Sequence, residues 1–98
     1  MNSLMEAAAA LLRHHRHQRD LLALTRLQAA LLARGLRAEW RDNNSALLIW
    51  RTDPDLPVLV AMSYGCSHYC WRWRDDEHRH PVGDSDGAAR VLAELLGS

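Results

Sequence analysis

From Leu4 to Arg34 the chain runs without a proline or a glycine, and this segment limits the fold more than any other. Ala, Leu, Arg and Gln dominate it, all of which lose little side-chain freedom in a helix. Gly35 follows at the position where a left-handed residue ends a helix, and Asn2 or Ser3 can cap the start, with Glu6 as capping-box partner. The spacing predicts a helix over 4–34. Two apolar stripes run along it. Leu4, Ala8, Leu11, Leu12 and His15 share one face; Leu21, Leu24, Gln28 and Leu31 form another, with Leu27 beside it. They do not join across the polar stretch Arg13–Asp20, so the pattern leaves open a break near Gln18.

A continuous helix of that length would reach roughly 45 Å at about 1.5 Å per residue, whereas strands of ordinary length span only about 20 Å. One end must overhang. Leu4, Leu11 and Leu12 then fold back as a second helix or pack on another molecule, and the mismatch predicts a homodimer held by residues of the N-terminal helix.

After Gly35 the period changes to two. Leu36, Ala38 and Trp40 alternate with Arg37, Glu39 and Arg41. RDNNS reads as a turn, Ala46–Arg51 as a second strand, Val58–Tyr64 as a third and Tyr69–Arg74 as a fourth. Asp75-Asp76-Glu77 reads as a turn before a short edge strand, His78–Val82, where Pro81 needs no amide proton. Asp84 or Ser85 can cap a closing helix whose apolar stripe is Ala88, Val91, Leu92 and Leu95. The expected architecture is a single α+β domain over 1–98: a helix (4–34), a four- to five-stranded antiparallel meander (36–82), and a C-terminal helix (84–97) on the same face of the sheet.

Composition narrows the function classes. The net charge is zero, which argues against bulk nucleic-acid binding. Every basic residue is an arginine, a bias that fits a GC-rich genome. The basic residues lean to the first part of the chain and the acids to the second: seven arginines and three acids precede Asp42, five arginines and nine acids follow from it. Such halves can satisfy each other within one fold or across two copies. The two cysteines are too few for a secreted disulfide scaffold, no signal peptide is read at the start, and no run nears the ~20 apolar residues of a membrane span. The expectation is a cytoplasmic protein without a membrane role.

The ten residues GCSHYCWRWR, from Gly65 to Arg74, hold both cysteines, a histidine and two tryptophans. On one regular strand Cys66 and Cys70 would lie about 13 Å apart, too far for a disulfide or for one tetrahedral zinc. A turn at Gly65–Ser67 could instead bring Cys66, His68 and Cys70 near one metal, with His78 or His80 completing the set from the next strand. No standard zinc spacing is present, and C-S-H-Y-C is not a C-x-x-C redox motif. His14 and His17 are spaced i, i+3 on the helix, as a titratable polar face would be.

Trp71 and Trp73 alternate with Arg72 and Arg74, as aromatics packed inward and arginines outward would. With Trp40 they could instead line a small-ligand pocket between helix and sheet. Ala46–Arg51 has apolar side chains on both faces, which singles out Leu48 and Trp50 as interface residues on the sheet. There is no G-x-S-x-G, Gly-rich phosphate loop or H-E-x-x-H, and the aspartate pairs around Pro54 and Ser85 suit a turn and a helix cap. Nothing points to catalysis.

From Leu36 through Leu96 the chain carries R-G-L-x-A-E-W leading into the first strand, then L-P-V-L-V, Y-C-W-R-W, H-P-V-G-D and A-A-x-V-L-A-x-L-L. In these elements it resembles small α+β proteins of actinobacteria, mostly uncharacterised, whose genes often accompany regulatory genes. The resemblance covers about the last two-thirds of the chain and rests on structural motifs, so it carries no catalytic residue. It implies a small accessory or regulatory protein.

The sequence thus leads to a non-enzymatic protein-binding module that acts as a homodimer without a cofactor, with Leu4, Leu11, Leu12, His15, Leu48 and Trp50 at its interfaces. Two alternatives stand beside it. One is a zinc-binding or metal-sensing protein using Cys66, His68, Cys70, His78 and His80. The other is a small-ligand binder using Trp40, Trp71 and Trp73.

Overall fold

The computed structural model describes residues 3–52, 57–63 and 67–97; between residues 3 and 17 side chains are described only at Ala7 and Ala8. The order is α1 (Ser3–Ala33), β1 (Arg37–Arg41), β2 (Ala46–Trp50), β3 (Val58–Met62), β4 (His68–Trp73), β5 (Asp76–Pro81) and α2 (Ser85–Gly97). The strands form one open antiparallel meander, β1-β2-β3-β4-β5, in which every strand pairs with its neighbour in sequence.

α1 is one uninterrupted helix of 31 residues, which settles the question of a break near Gln18. It ends in a Schellman motif. Gly35 takes φ 81°, its N–H donates to Leu32 O, and the Leu36 N–H reaches back to Leu31 O, both at 3.0 Å. Leu31 and Leu36, the apolar pair of that motif, are both buried.

The sheet register sorts the side chains cleanly. Ala38 lies opposite Ile49, Leu47 opposite Val60, Ile49 opposite Val58, and Met62 opposite Tyr69. These residues face the helices, whose Leu24, Leu27, Leu31 and Leu92 are fully buried against them. Tyr69 joins all three parts. Its hydroxyl donates to Ala23 O of α1 at 2.6 Å and shares a hydrogen bond with Ser85 Oγ of α2 at 2.8 Å. Gln28 Nε2 also donates to Ala38 O, tying α1 to β1. Both helices therefore cover one face of the sheet, as expected.

The last hairpin is tighter than the composition of Asp75-Asp76-Glu77 suggests. Arg74 (φ 52°) and Asp75 (φ 69°) form a two-residue turn, Trp73 pairs with Asp76, and β5 starts two residues earlier than expected. A left-handed two-residue turn matches the twist of the strands, so the ladder runs right up to it. β3 ends at Met62 rather than Tyr64, which lies outside the described residues. Pro81 closes β5 on the sheet edge.

α2 is capped by Asp84, not Ser85: the Gly87 N–H donates to Asp84 Oδ1 at 3.1 Å and the Ala88 N–H to Asp84 O at 3.0 Å. A Cβ at Gly87 would collide with the Asp84 carboxylate, so glycine gives that carboxylate its room. At the other end of α2, Arg51 Nη2 donates to Ala93 O at 3.3 Å.

Candidate functional site

Two apolar surfaces have no cover among the described residues. The first is the face of the sheet turned away from the helices. Because β2 is apolar on both sides, Leu47 and Ile49 fill the core while Ala46, Leu48 and Trp50 lie on the outer face, Ala46 buried between its neighbours and Leu48 and Trp50 partly exposed. Leu48 pairs with Leu59, Ala46 with Ala61, and Ala61 with Cys70, which makes an aliphatic strip across β2, β3 and β4. Leu59 is 45% exposed in its middle. Charged residues rim the strip. On β1, Arg41 binds Glu39 at 2.6 Å; on β5, Arg79 lies 3.6 Å from Glu77; Arg37 and Arg72 add two more guanidinium groups. Leu48 and Trp50 thus lie where the two-faced strand places them, half-buried among their neighbours on the outer face.

The second surface is the outer side of α1. Its buried line is Leu24, Leu27 and Leu31, while Leu22 and Leu32 are 58% and 51% exposed. At ~100° per residue, Leu22, Thr25, Ala29 and Leu32 fall roughly opposite the buried line. Counted back from Leu22 in alternating steps of four and three, the same series meets Gln18, His15, Leu11, Ala8 and Leu4. The two sequence stripes fail to join because their positions fall on different faces of one helix: the second enters the core, and the first is in step with the exposed Leu22 and Leu32. Ala8, described in the first half, is exposed. Of the interface residues expected on α1, the side chains of Leu4, Leu11, Leu12 and His15 lie outside the described residues, as do those of His14 and His17. Leu22, Leu32 and Leu59 were missed by sequence reasoning. The step pattern from Leu11 could have found the first two, but the unbroken apolar run of β3 hid the third.

The overhang expected from helix length is present. The molecule measures 57 × 27 × 21 Å, and its radius of gyration is 15.0 Å, against about 12.6 Å for a compact domain of this length.

The described cysteine and histidine side chains are not gathered. Cys70 pairs with Arg79 and His68 with Pro81, whereas His78 pairs with Trp71 and His80 with Tyr69. His68 and Cys70 therefore occupy the outer face of β4, and His78 and His80 the helix-side face of β5, with the sheet between them. Cys66 lies outside the described residues. His68 Nδ1 is 2.8 Å from Ser67 Oγ, and the His78 ring stacks on Trp71 with centroids 5.9 Å apart. Among the described residues no three such side chains converge as metal ligands would.

The tryptophans are also dispersed. Trp71 is buried, and Trp40 and Trp73 are packed at the core's margin. Trp40 on β1 is three strand spacings from β4, or about 14 Å, so the three do not line one pocket. Trp71 Nε1 is buried without a hydrogen-bond partner among the described residues.

A cleft of about 520 Å³ opens between α1 and the start of α2, lined by Arg26, Ala29, Ala30, Ala33 and residues 83–86. Its α2 wall carries Asp84 and Asp86. The hydrogen bonds from His80, at 2.9 Å, and from the Gly87 N–H hold the Asp84 carboxyl below its usual range. No described helix is long and apolar enough to cross a membrane.

Compared with family models, with curated proteins and with solved structures, the chain matches none.

Proposed function

We propose that the protein is a non-enzymatic accessory or regulatory module that works by binding protein and acts as a homodimer. The observation that carries this reading is the uncovered apolar strip on the outer sheet face, centred on Leu48 and Leu59. An apolar patch bordered by charges on a well-packed scaffold suits protein contact rather than chemistry on a small substrate. The α1 overhang supports the dimer, because apolar residues of its first half extend past the sheet that would otherwise bury them. The reading agrees with the accessory role implied by the resemblance to small actinobacterial proteins. Native mass spectrometry of untagged protein, purified without chelator, tests it. The expected result is a species at twice the 11.2 kDa chain mass and no added metal mass. A monomer at micromolar concentration would refute the dimer; retained zinc would shift the reading to the Cys/His alternative.

A further inference from the structure

Resting on that homodimer, we infer its geometry: the α1 helices of two copies pair antiparallel, each overhang lying on the exposed side of its partner's α1. Three observations converge. The first is period. The series of positions from Leu4 to Leu32 advances in alternating steps of three and four over the whole of α1, the repeat that keeps two helices in continuous contact, and its described members Ala8, Gln18, Leu22, Thr25, Ala29 and Leu32 are all exposed. It lies on the side away from the buried Leu24, Leu27 and Leu31, so pairing along it leaves the fold of each copy intact.

The second is length. With the twofold axis at Gln18, position 4 faces position 32, and position 11 faces position 25. Each chain's first half then lies along 19–33 of its partner, over the exposed Leu22 and Leu32. A parallel pair would leave both overhangs beyond both sheets. The antiparallel pair sets each overhang on the partner's folded body.

The third is charge. Residues 3–17 hold Arg13 and Arg16 with three histidines against a single acid, Glu6. A parallel pair would align these basic segments with each other. In the antiparallel pair each runs beside the partner's open cleft, whose walls are small (Ala29, Ala30, Ala33) and whose lining holds Asp84 and Asp86 with Arg26; Arg34 and Arg90 border the same two carboxylates on their other side. Each basic segment thus meets two carboxylates instead of its own like-charged copy. The sheet's outer face stays free in this arrangement.

Cysteine cross-linking in a Cys66→Ser, Cys70→Ser background tests the geometry, with native mass spectrometry of the same samples reading oligomeric state. Leu4→Cys with Leu32→Cys should yield a covalent dimer with a short bis-maleimide. The two positions are about 42 Å apart along one helix, too far to link within a chain. Leu4→Cys alone should yield none. Leu22→Glu, at an exposed position, should weaken the dimer about 100-fold or more while leaving the circular-dichroism spectrum unchanged, since the change occurs twice per dimer. Efficient linking by Leu4→Cys alone would mean a parallel pair and overturn the inference. An intact dimer that resists linking in the double variant, or tolerates Leu22→Glu, would overturn it while the homodimer stands. A monomeric parent protein would overturn both.

Discussion

Replacing Tyr69 with Phe removes one oxygen atom from the centre of the molecule, and its cost can be worked from the contacts. The ring is fully buried, and Phe keeps it. What disappears is the 2.6 Å bond to Ala23 O and the 2.8 Å bond to Ser85 Oγ. Neither partner is stranded. Ala23 O stays within the continuous α1 ladder, and Ser85 Oγ keeps Val82 O at 3.4 Å. The loss is therefore that of two net hydrogen bonds, about 1–2 kcal/mol, without the larger penalty of an orphaned buried group. For a domain of this size that is a fall of about 5–15 °C in Tm. Thermal and urea unfolding followed by circular dichroism measure it, with the urea slope unchanged. A second signature comes from pH. Burial pushes the Tyr69 hydroxyl above its ordinary value of 10.0. A raised acid favours the folded state while both states are protonated, so this contribution is full below pH 10.0 and is lost as pH rises through the folded value. Tyr69→Phe should lose less stability over that alkaline range than the parent. A stability change under about 0.3 kcal/mol would show that the hydroxyl does not join the helices to the sheet, and the reasoning would fail.

Leu59→Lys should shift stability by no more than about 0.5 kcal/mol, whereas Leu47→Ala should cost about 2–5 kcal/mol, because the sheet has one packed and one open face; equal losses in urea unfolding would deny that asymmetry. Asp75→Gly should stabilise by about 0.5–1 kcal/mol by relieving a side chain held at φ 69°, measured as a rise in Tm; a fall would mean that the carboxylate itself supports the turn. The hydrogen bond from His80, followed by that from the Gly87 N–H, lowers Asp84 below 3.8, so its stabilising effect is present above that value and is lost as pH falls through the folded one. Asp84→Asn keeps a competent cap and should flatten the acid limb of a stability–pH profile; an unchanged limb would place the acid sensitivity elsewhere.

Most of the fold was legible because its elements carry their own punctuation. Gly35 ends α1 with the motif that its position announces, and strict alternation sets Trp40, Tyr69 and Trp71 on the core side. The Arg74–Asp75 turn was not legible, since Arg74 is not a usual left-handed choice and the acids beyond it look like loop. The metal set drawn from Cys66, His68, Cys70, His78 and His80 depended on a bend in β4. The strand is instead regular from His68, and regularity puts i and i+1 neighbours on opposite faces. Leu48 and Trp50 could be read because β2 is apolar on both sides. Leu59 could not, because an unbroken apolar strand gives no sign of which face lacks a cover.

The order of the elements also governs how the protein can be made. Every hairpin closes between neighbours, so the sheet can assemble as the ribosome delivers it. Its core side, however, is finished only when α2 arrives to meet α1 through Tyr69 and Ser85. Until that final helix leaves the exit tunnel, the nascent sheet is apolar on both sides, Leu47 and Val60 on one and Leu48 and Leu59 on the other. A sheet that has emerged ahead of α2 is a sticky two-sided ribbon, so chaperone contact with this chain should persist until α2 is free to dock.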